Sequence, residues 1–264
     1  MTIITLTTDF GLKDGNVGVM KGVIIAIAPR SHIVDLSHQI SPQNVHEAAL
    51  ILRRSTPYFP DGTIHLAVVD PGVGTDRRPI AAHLGTQYFV GPDNGLISLW
   101  LERLEEKKFA AKFYQLNQSQ YWLPSISHVF HGRDIFAPVA AHLASGVPLE
   151  AMGTKITDPV RLEFPRPERT VNGWRGEVVH IDHFGNIGTN LSRDILAGQR
   201  VVTVHVDGVN IQGMASTFGD CKPGKLAAIF SSTDDLFVAE VDGNAAQRLG
   251  VKVGDSVEVI VGQP

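Results

Sequence analysis

IHLAVVDPGVGTDRR, residues 64–78, joins a short apolar run to a carboxylate, a Pro-Gly turn and two arginines. Ile64, Leu66, Val68 and Val69 put β-branched and aliphatic side chains on both faces, the pattern of a strand in a sheet covered on both sides. Asp70 then stands at the carboxyl end of that strand. In open α/β sheets ligands bind at that edge, because the loops there vary freely while the strands hold them rigidly. Gly72 and Gly74 let the backbone turn sharply and approach a ligand closely. A second reading is equally open on these residues alone: Asp-Pro-Gly is a type I turn in which the Asp accepts backbone N–H groups and the Pro presets φ.

The pattern recurs upstream. Thr2 to Thr8 is apolar and β-branched and ends in Asp9-Phe10-Gly11, a second carboxylate after a buried strand. Val17 to Ala28 has the length of a helix stopped by Pro29, with Asp14 as its expected N-terminal cap. Ile33 to Leu36 reads as a strand, and Ser41-Pro42 is expected to open a helix with Val45, Ala48, Ala49 and Leu52 on one face. Strand and helix alternate through Ile64–Val69, Gln87–Gly91 and Leu96–Leu104, which predicts a layered α/β domain over residues 1–160 with a central, mostly parallel sheet. Gly91-Pro92-Asp93-Asn94-Gly95 follows a strand and reads as a turn or a ligand contact. Phe130-His131-Gly132-Arg133-Asp134 precedes a helical run with Pro138 in its first turn. Asp134 is the natural cap there, and the helix dipole disfavours a charged imidazole at His131.

From Thr157 the composition shifts to prolines interspersed with charges, which predicts a linker over residues 161–170. Beyond it lie five short alternating strands, Gly176–Ile181, Arg200–Val206, Lys225–Phe230, Leu236–Val241 and Ser256–Val261. They predict a small antiparallel β-barrel over residues 171–264. Two of its loops carry polar groups. Asp182-His183-Phe184-Gly185-Asn186 sets a carboxylate, an aromatic and an amide on one turn, and Asp242-Gly243-Asn244-Ala245-Ala246 is expected to offer exposed backbone.

The chain has 264 residues, 43% hydrophobic and 19% charged, so it is large enough for two cores of an ordinary globular protein. A formal net charge of −4 leaves no basic footprint for nucleic acid. A single cysteine, Cys221, excludes an internal disulfide framework and fits a reducing cytoplasm. The N-terminus lacks a basic n-region, and no apolar run approaches the roughly 20 residues of a membrane span. Walker, GxSxG, CxxC and GxGxxG motifs are absent. His46-Glu47 begins like a zincin helix, but Leu50 stands where the second histidine is required, so no metal site is expected. What remains are loop carboxylates with an arginine, a histidine, aromatics and amides. They suit a small polar, cationic ligand better than a phosphate.

TTDFG (7–11), VVDPGVGT (68–75), FHGRDIFAP (130–138), IDHFGNIGTN (181–190) and GNAA (243–246), in this order and at these separations, resemble the S-adenosyl-L-methionine hydroxide adenosyltransferase family, which is related to the fluorinases and chlorinases. The resemblance implies hydrolysis of S-adenosyl-L-methionine to adenosine and L-methionine by attack of water or hydroxide on ribose C5′, without a cofactor. It implies a homotrimer whose active sites lie at subunit interfaces. By resemblance, Asp70, Arg77 and His131 hold the water, with Asp70 an orienting carboxylate of lowered pKa beside its arginine. Asp9 falls on the ribose hydroxyls, and Asp14, Asn16 and Asp182 fall near the methionine amino and carboxylate ends. Phe130 and Phe184 pack on adenine or ribose, Asn186 and the Ala245 backbone read the adenine edge, and Ser231 meets the methionine carboxylate. Gln43 replaces a halogenase Trp. Two alternatives accompany this reading: a halogenase of the same fold, in which the positions of Asp70 and His131 are Tyr in fluorinases, and a non-catalytic adenosine or S-adenosylmethionine sensor.

Overall fold

The computed structural model describes residues 2–262. The chain divides into two compact units, Met1–Glu163 and Phe164–Pro264.

The first unit is built on a seven-stranded sheet of β1 (Ile3–Thr8), β2 (His32–Ser37), β3 (Ile64–Val68), β4 (Pro79–Leu84), β5 (Gln87–Pro92), β6 (Ala111–Leu116) and β7 (Gly153–Ile156). The strand order is β2-β1-β3-β5-β4-β6-β7. Pairing is parallel from β2 through β1 and β3 to β5, then antiparallel from β5 through β4 and β6 to β7. The sheet is therefore mixed, a parallel half extended by an antiparallel half.

Its two faces are covered by different helices. Ile4, Leu6, Ile64, Leu66 and Val68 pack with α1 (Asn16–Ile27) and α4 (Ala137–Ala144). Ala67 and Val69 point the other way, into the cluster formed with α2 (Val45–Ser55) and α3 (Ser98–Glu106). A strand buried on both sides has no polar face to show, which is why β3 reads as an apolar run interrupted by one histidine.

The helix starts differ from expectation. The N-cap of α1 is Gly15 at φ 73° with no side-chain bond, so Asp14 is not a cap. Helix α2 begins after Asn44, whose side chain accepts the Glu47 N–H; Ser41-Pro42 lies outside the helix because Gln43 at φ 65° breaks it.

His65 is the exception on β3. It is fully buried, its Nδ1 lies 2.8 Å from Thr5 Oγ1, and the rings of Phe59 and Trp100 meet it edge-on. Burial lowers its pKa from the ordinary 6.5 to about 4. Between those values the unfolded chain binds a proton that the folded chain refuses, so stability is complete above pH 6.5 and is lost as the pH falls toward 4. The loss traceable to this one ring is roughly 3 kcal/mol. Urea unfolding at pH 7 and pH 4 is expected to show a His65→Gln variant losing that much less than the parent. An equal loss in both would remove His65 as the cause.

The second unit is all but helix-free. Its strands are β8 (Glu168–Thr170), β9 (Gly173–Ile181), β10 (Ile187–Ser192), β11 (Val201–Val206), β12 (Val209–Gln212), β13 (Leu226–Phe230), β14 (Asp235–Glu240) and β15 (Ser256–Val261). They form one antiparallel sheet in the order β12-β11-β15-β9-β10-β14-β13, with β8 added beside β9. The Ala215 N–H, just past β12, donates to Ala228 O on β13 at 2.9 Å, which brings the two ends of the sheet together into a barrel. Val178, Ile187, Leu191, Val204, Leu236, Val238 and Val257 fill it. A short α-helix, α5 (Ala245–Leu249), follows β14.

Candidate active site

Beyond β3 the chain turns on itself and returns the second half of the DPGVGTDRR loop to the first. Val73 N–H donates to Asp70 O, Thr75 Oγ1 donates to Gly72 O, and Arg77 N–H donates to Thr75 Oγ1. Gly74 sits at φ 77°, and a Cβ there would lie 2.5 Å from His128 O, so this close approach of two loops admits only glycine. The result is a bidentate ion pair: Arg77 Nε and Nη2 donate to Asp70 Oδ1 and Oδ2 at 3.0 and 2.6 Å, with side-chain exposures of 7% and 5%. The turn and the charged site are thus one object. Arg78 points elsewhere, to Asp93 and Asp158.

Arg77 Nη2 also lies 3.0 Å from His131 Nδ1. A guanidinium only donates, so Nδ1 is the acceptor and a neutral His131 carries its proton on Nε2. Burial and the neighbouring Arg77 charge both lower the His131 pKa, which keeps the ring neutral. For Asp70 burial wins over Arg77, and its pKa is raised, not lowered as expected from the arginine alone. A Gly72 N–H bond and the Arg77 fork still hold the ionised form. Arg77 Nη1 is buried with no partner among the described residues. An unsatisfied donor beside an ion pair calls for an acceptor from outside the chain.

His131 is delivered by a π-helical turn, Gly132–Phe136, that leads into α4. Asp134 lies inside this turn and is fully buried, so it is not the helix cap; it accepts the Ser127 N–H at 2.7 Å and pairs with Arg133. That bond ties the preceding loop down. Phe130 packs edge-on against Phe10 at 5.7 Å, linking this segment to the turn after β1.

In that turn Asp9 Oδ2 accepts the Gln43 N–H at 2.8 Å, and Oδ1 takes no hydrogen bond among the described residues. Asp14 is exposed and Asn16, the first residue of α1, is half-buried; among the described residues neither bonds to the Asp70 cluster. A residue the sequence reading left ambiguous joins the edge: Asn94 Nδ2 donates to Val69 O at 2.9 Å, steadying the backbone just before Asp70, while its Oδ1 is buried without a partner among the described residues. The turn formers that follow β5 were its only signal.

In the second unit Asp182 is consumed by its own loop. Its Oδ1 accepts the Phe184 and Asn186 N–H groups, each at 2.9 Å, and its Oδ2 accepts Asn186 Nδ2 at 2.8 Å. This leaves Asn186 Oδ1 and the exposed His183 and Phe184 rings as groups the loop presents. Ala246 N–H donates to Gly185 O at 2.9 Å, so the 182–186 and 242–246 loops form one surface. Ala245 is fully buried in α5, not on exposed backbone as expected. The Ser231 hydroxyl is engaged within its own turn by Thr233 and Asp235.

Among the described residues no three His, Cys, Asp or Glu side chains are grouped to hold a metal ion, and no helix is long and apolar enough to cross a membrane. The profiles of the SAM hydroxide adenosyltransferase N-terminal and C-terminal domains match residues 4–153 and 176–258. The chain belongs to the SAM hydroxide adenosyltransferase family. This family member is 40% identical to the (R)-S-adenosyl-L-methionine hydrolase of Thermus thermophilus, over 98% of this chain and 100% of that one. It is 39% identical to the hydrolase of the same name from Salinispora tropica, over 98% of each. A fluorinase of Nocardia brasiliensis is more distant, at 29%. A solved structure of an uncharacterized conserved protein from Thermotoga maritima aligns with a TM-score of 0.88 and 38% identity, over 97% of this chain and 99% of that one.

Proposed function

We propose that the chain hydrolyses (R)-S-adenosyl-L-methionine to adenosine and L-methionine, without a cofactor and in the cytoplasm. The observation that carries this reading is the buried Asp70–Arg77–His131 cluster with one guanidinium donor left open. The water oxygen sits against Asp70, whose proton affinity burial has raised, and Asp70 takes its proton as the oxygen attacks C5′. The C–S electrons pass to the sulfonium, which leaves as a neutral thioether and needs no acid. The chemistry left to the site is alignment of the oxygen with the C–S bond. Asp9 Oδ1 takes the ribose hydroxyls, and Phe130 packs on the nucleoside. Asp14 and Asn16 take the methionine end. Asp182 serves by shaping its loop, from which Phe184 and Asn186 meet adenine; the Ala245 backbone is assigned to the same edge, for which it must first be uncovered. Ser231 is assigned to the methionine carboxylate, for which its hydroxyl must leave its turn.

The homotrimer, with sites at subunit interfaces, belongs to the same proposal; a single-chain mass in solution with full turnover contradicts it. A halogenase is disfavoured by the Asp70 carboxylate, which repels a halide where the hydrolase needs water. A sensor has no use for a buried cluster apart from its binding loops. Chromatography of the products formed from S-adenosyl-L-methionine, with and without chloride or fluoride, tests all three. Adenosine and methionine in equal amounts, independent of halide, are expected. A 5′-halo-adenosine refutes the assignment of Asp70, and bound but unchanged substrate makes the protein a sensor.

A further inference from the structure

Thr8, His38 and Asp35 form a chain of polar groups behind Asp9 to which no role has been given. Thr8 ends β1, and its Oγ1 accepts the Phe10 N–H at 3.3 Å and lies 2.8 Å from His38 Nδ1. His38 Nε2 lies 3.0 Å from Asp35 Oδ1, an oblique approach, and Asp35 Oδ2 is 2.6 Å from Lys21 Nζ on α1. The carboxylate facing Nε2 places the proton of a neutral imidazole there, so Nδ1 accepts and the Thr8 hydroxyl donates to it.

The main chain adds two more ties. Gly11 N–H donates to His38 O and Gln43 N–H donates to Asp9 Oδ2, each at 2.8 Å. The two ends of the 38–43 loop thus grip the Thr8–Gly11 turn at three points, with Asp9 in the middle. The order hydroxyl, imidazole, carboxylate is that of a nucleophilic triad. Thr8 is fully buried, however, and no substrate atom reaches it. What remains for the chain is geometry.

We infer that Thr8 and His38, braced by Asp35, are positioning residues that fix the Asp9 carboxylate for the two hydroxyls of a ribose. The inference rests on the assignment of Asp9 to those hydroxyls. Its readout is discrimination between adenosine and 2′,3′-dideoxyadenosine, measured by titration calorimetry on the full chain, with folding checked by urea unfolding. Thr8→Val keeps the shape and removes the hydroxyl; His38→Ala removes the imidazole and keeps the backbone carbonyl. Each is expected to lower the preference for adenosine about tenfold, the effect of a misaligned bond to a charged group. Thr8→Ser restores it, and the double variant loses no more than either single one.

Thr8→Val alone decides the matter if His38→Ala does not fold. Unchanged discrimination in a folded Thr8→Val protein, whatever its stability, overturns the inference and leaves the chain merely structural. A parent protein that binds both nucleosides equally overturns the role of Asp9 and the inference with it, and shows this before any variant is made.

Discussion

Asp70→Ala is expected to abolish turnover, by a factor on the order of 10³ or more, while leaving adenosine binding largely intact. The variant removes the group proposed to take the water proton but none of those proposed to hold the nucleoside. It also strands Arg77, whose side chain is 7% exposed and bidentate to Asp70. An uncompensated buried charge costs about 3–5 kcal/mol of folding stability. Asp70→Asn keeps the side chain's shape and one acceptor for Arg77 but, like Asp70→Ala, removes the charge and the proton-accepting carboxylate. It is expected to lose turnover as fully, and urea unfolding reports the stability cost apart from it. Calorimetry with adenosine, urea unfolding and single-turnover kinetics on both variants provide the check. Loss of binding with turnover per bound ligand preserved would falsify the assignment of Asp70.

Gly74→Ala is expected to cost on the order of 2 kcal/mol of stability and about 10²-fold in turnover, although Gly74 touches no ligand in the proposal. The new methyl must displace the His128 carbonyl, three residues before His131, at a position where φ is already 77°. Either the loop carrying Arg77 or the loop carrying His131 has to move. Gly146→Ala is the control: its φ is 95° but a Cβ there meets nothing within 4 Å. That variant should lose stability through backbone strain and keep its turnover. If the two variants lose activity alike, strain rather than the contact between loops is responsible.

The parallel half of the first sheet was legible because β1 and β3 are buried on both faces and end in carboxylates. The antiparallel half was not. Strand β4 starts at Pro79 directly after the arginines and sets His83 among Ile80, Ala81, Ala82 and Leu84, and β6 mixes Lys112 and Gln115 with aromatics, so neither shows a clean period. In the barrel, β10 contains Gly188 and Asn190 and is held by pairing on both sides rather than by its own propensity. Helix caps failed for a related reason. Asp14 and Asp134 have the right residue type beside a helix start, but Gly15 and the π-helical turn take the geometry, and Asp134 is used by Ser127 instead.

At the site, the residue types came from the motifs, whereas the balance of forces came only from three dimensions. An aspartate beside an arginine suggests a lowered pKa, and only burial reverses it. The closure of Asp182 on its own loop was equally invisible, because nothing in the sequence says whether a loop carboxylate faces outward or inward.

That closure bears on how the second unit meets a ligand. With three donors converging on the Asp182 carboxylate and Gly185 wedged against the Asn244 carboxamide, the 182–186 loop has little conformational freedom left to lose. The proposed contact of Phe184 and Asn186 with adenine therefore demands almost no ordering of the protein. In that proposed role the loop is a finished mould, selecting by fit rather than by adapting, and a nucleobase of different outline is expected to meet refusal instead of accommodation.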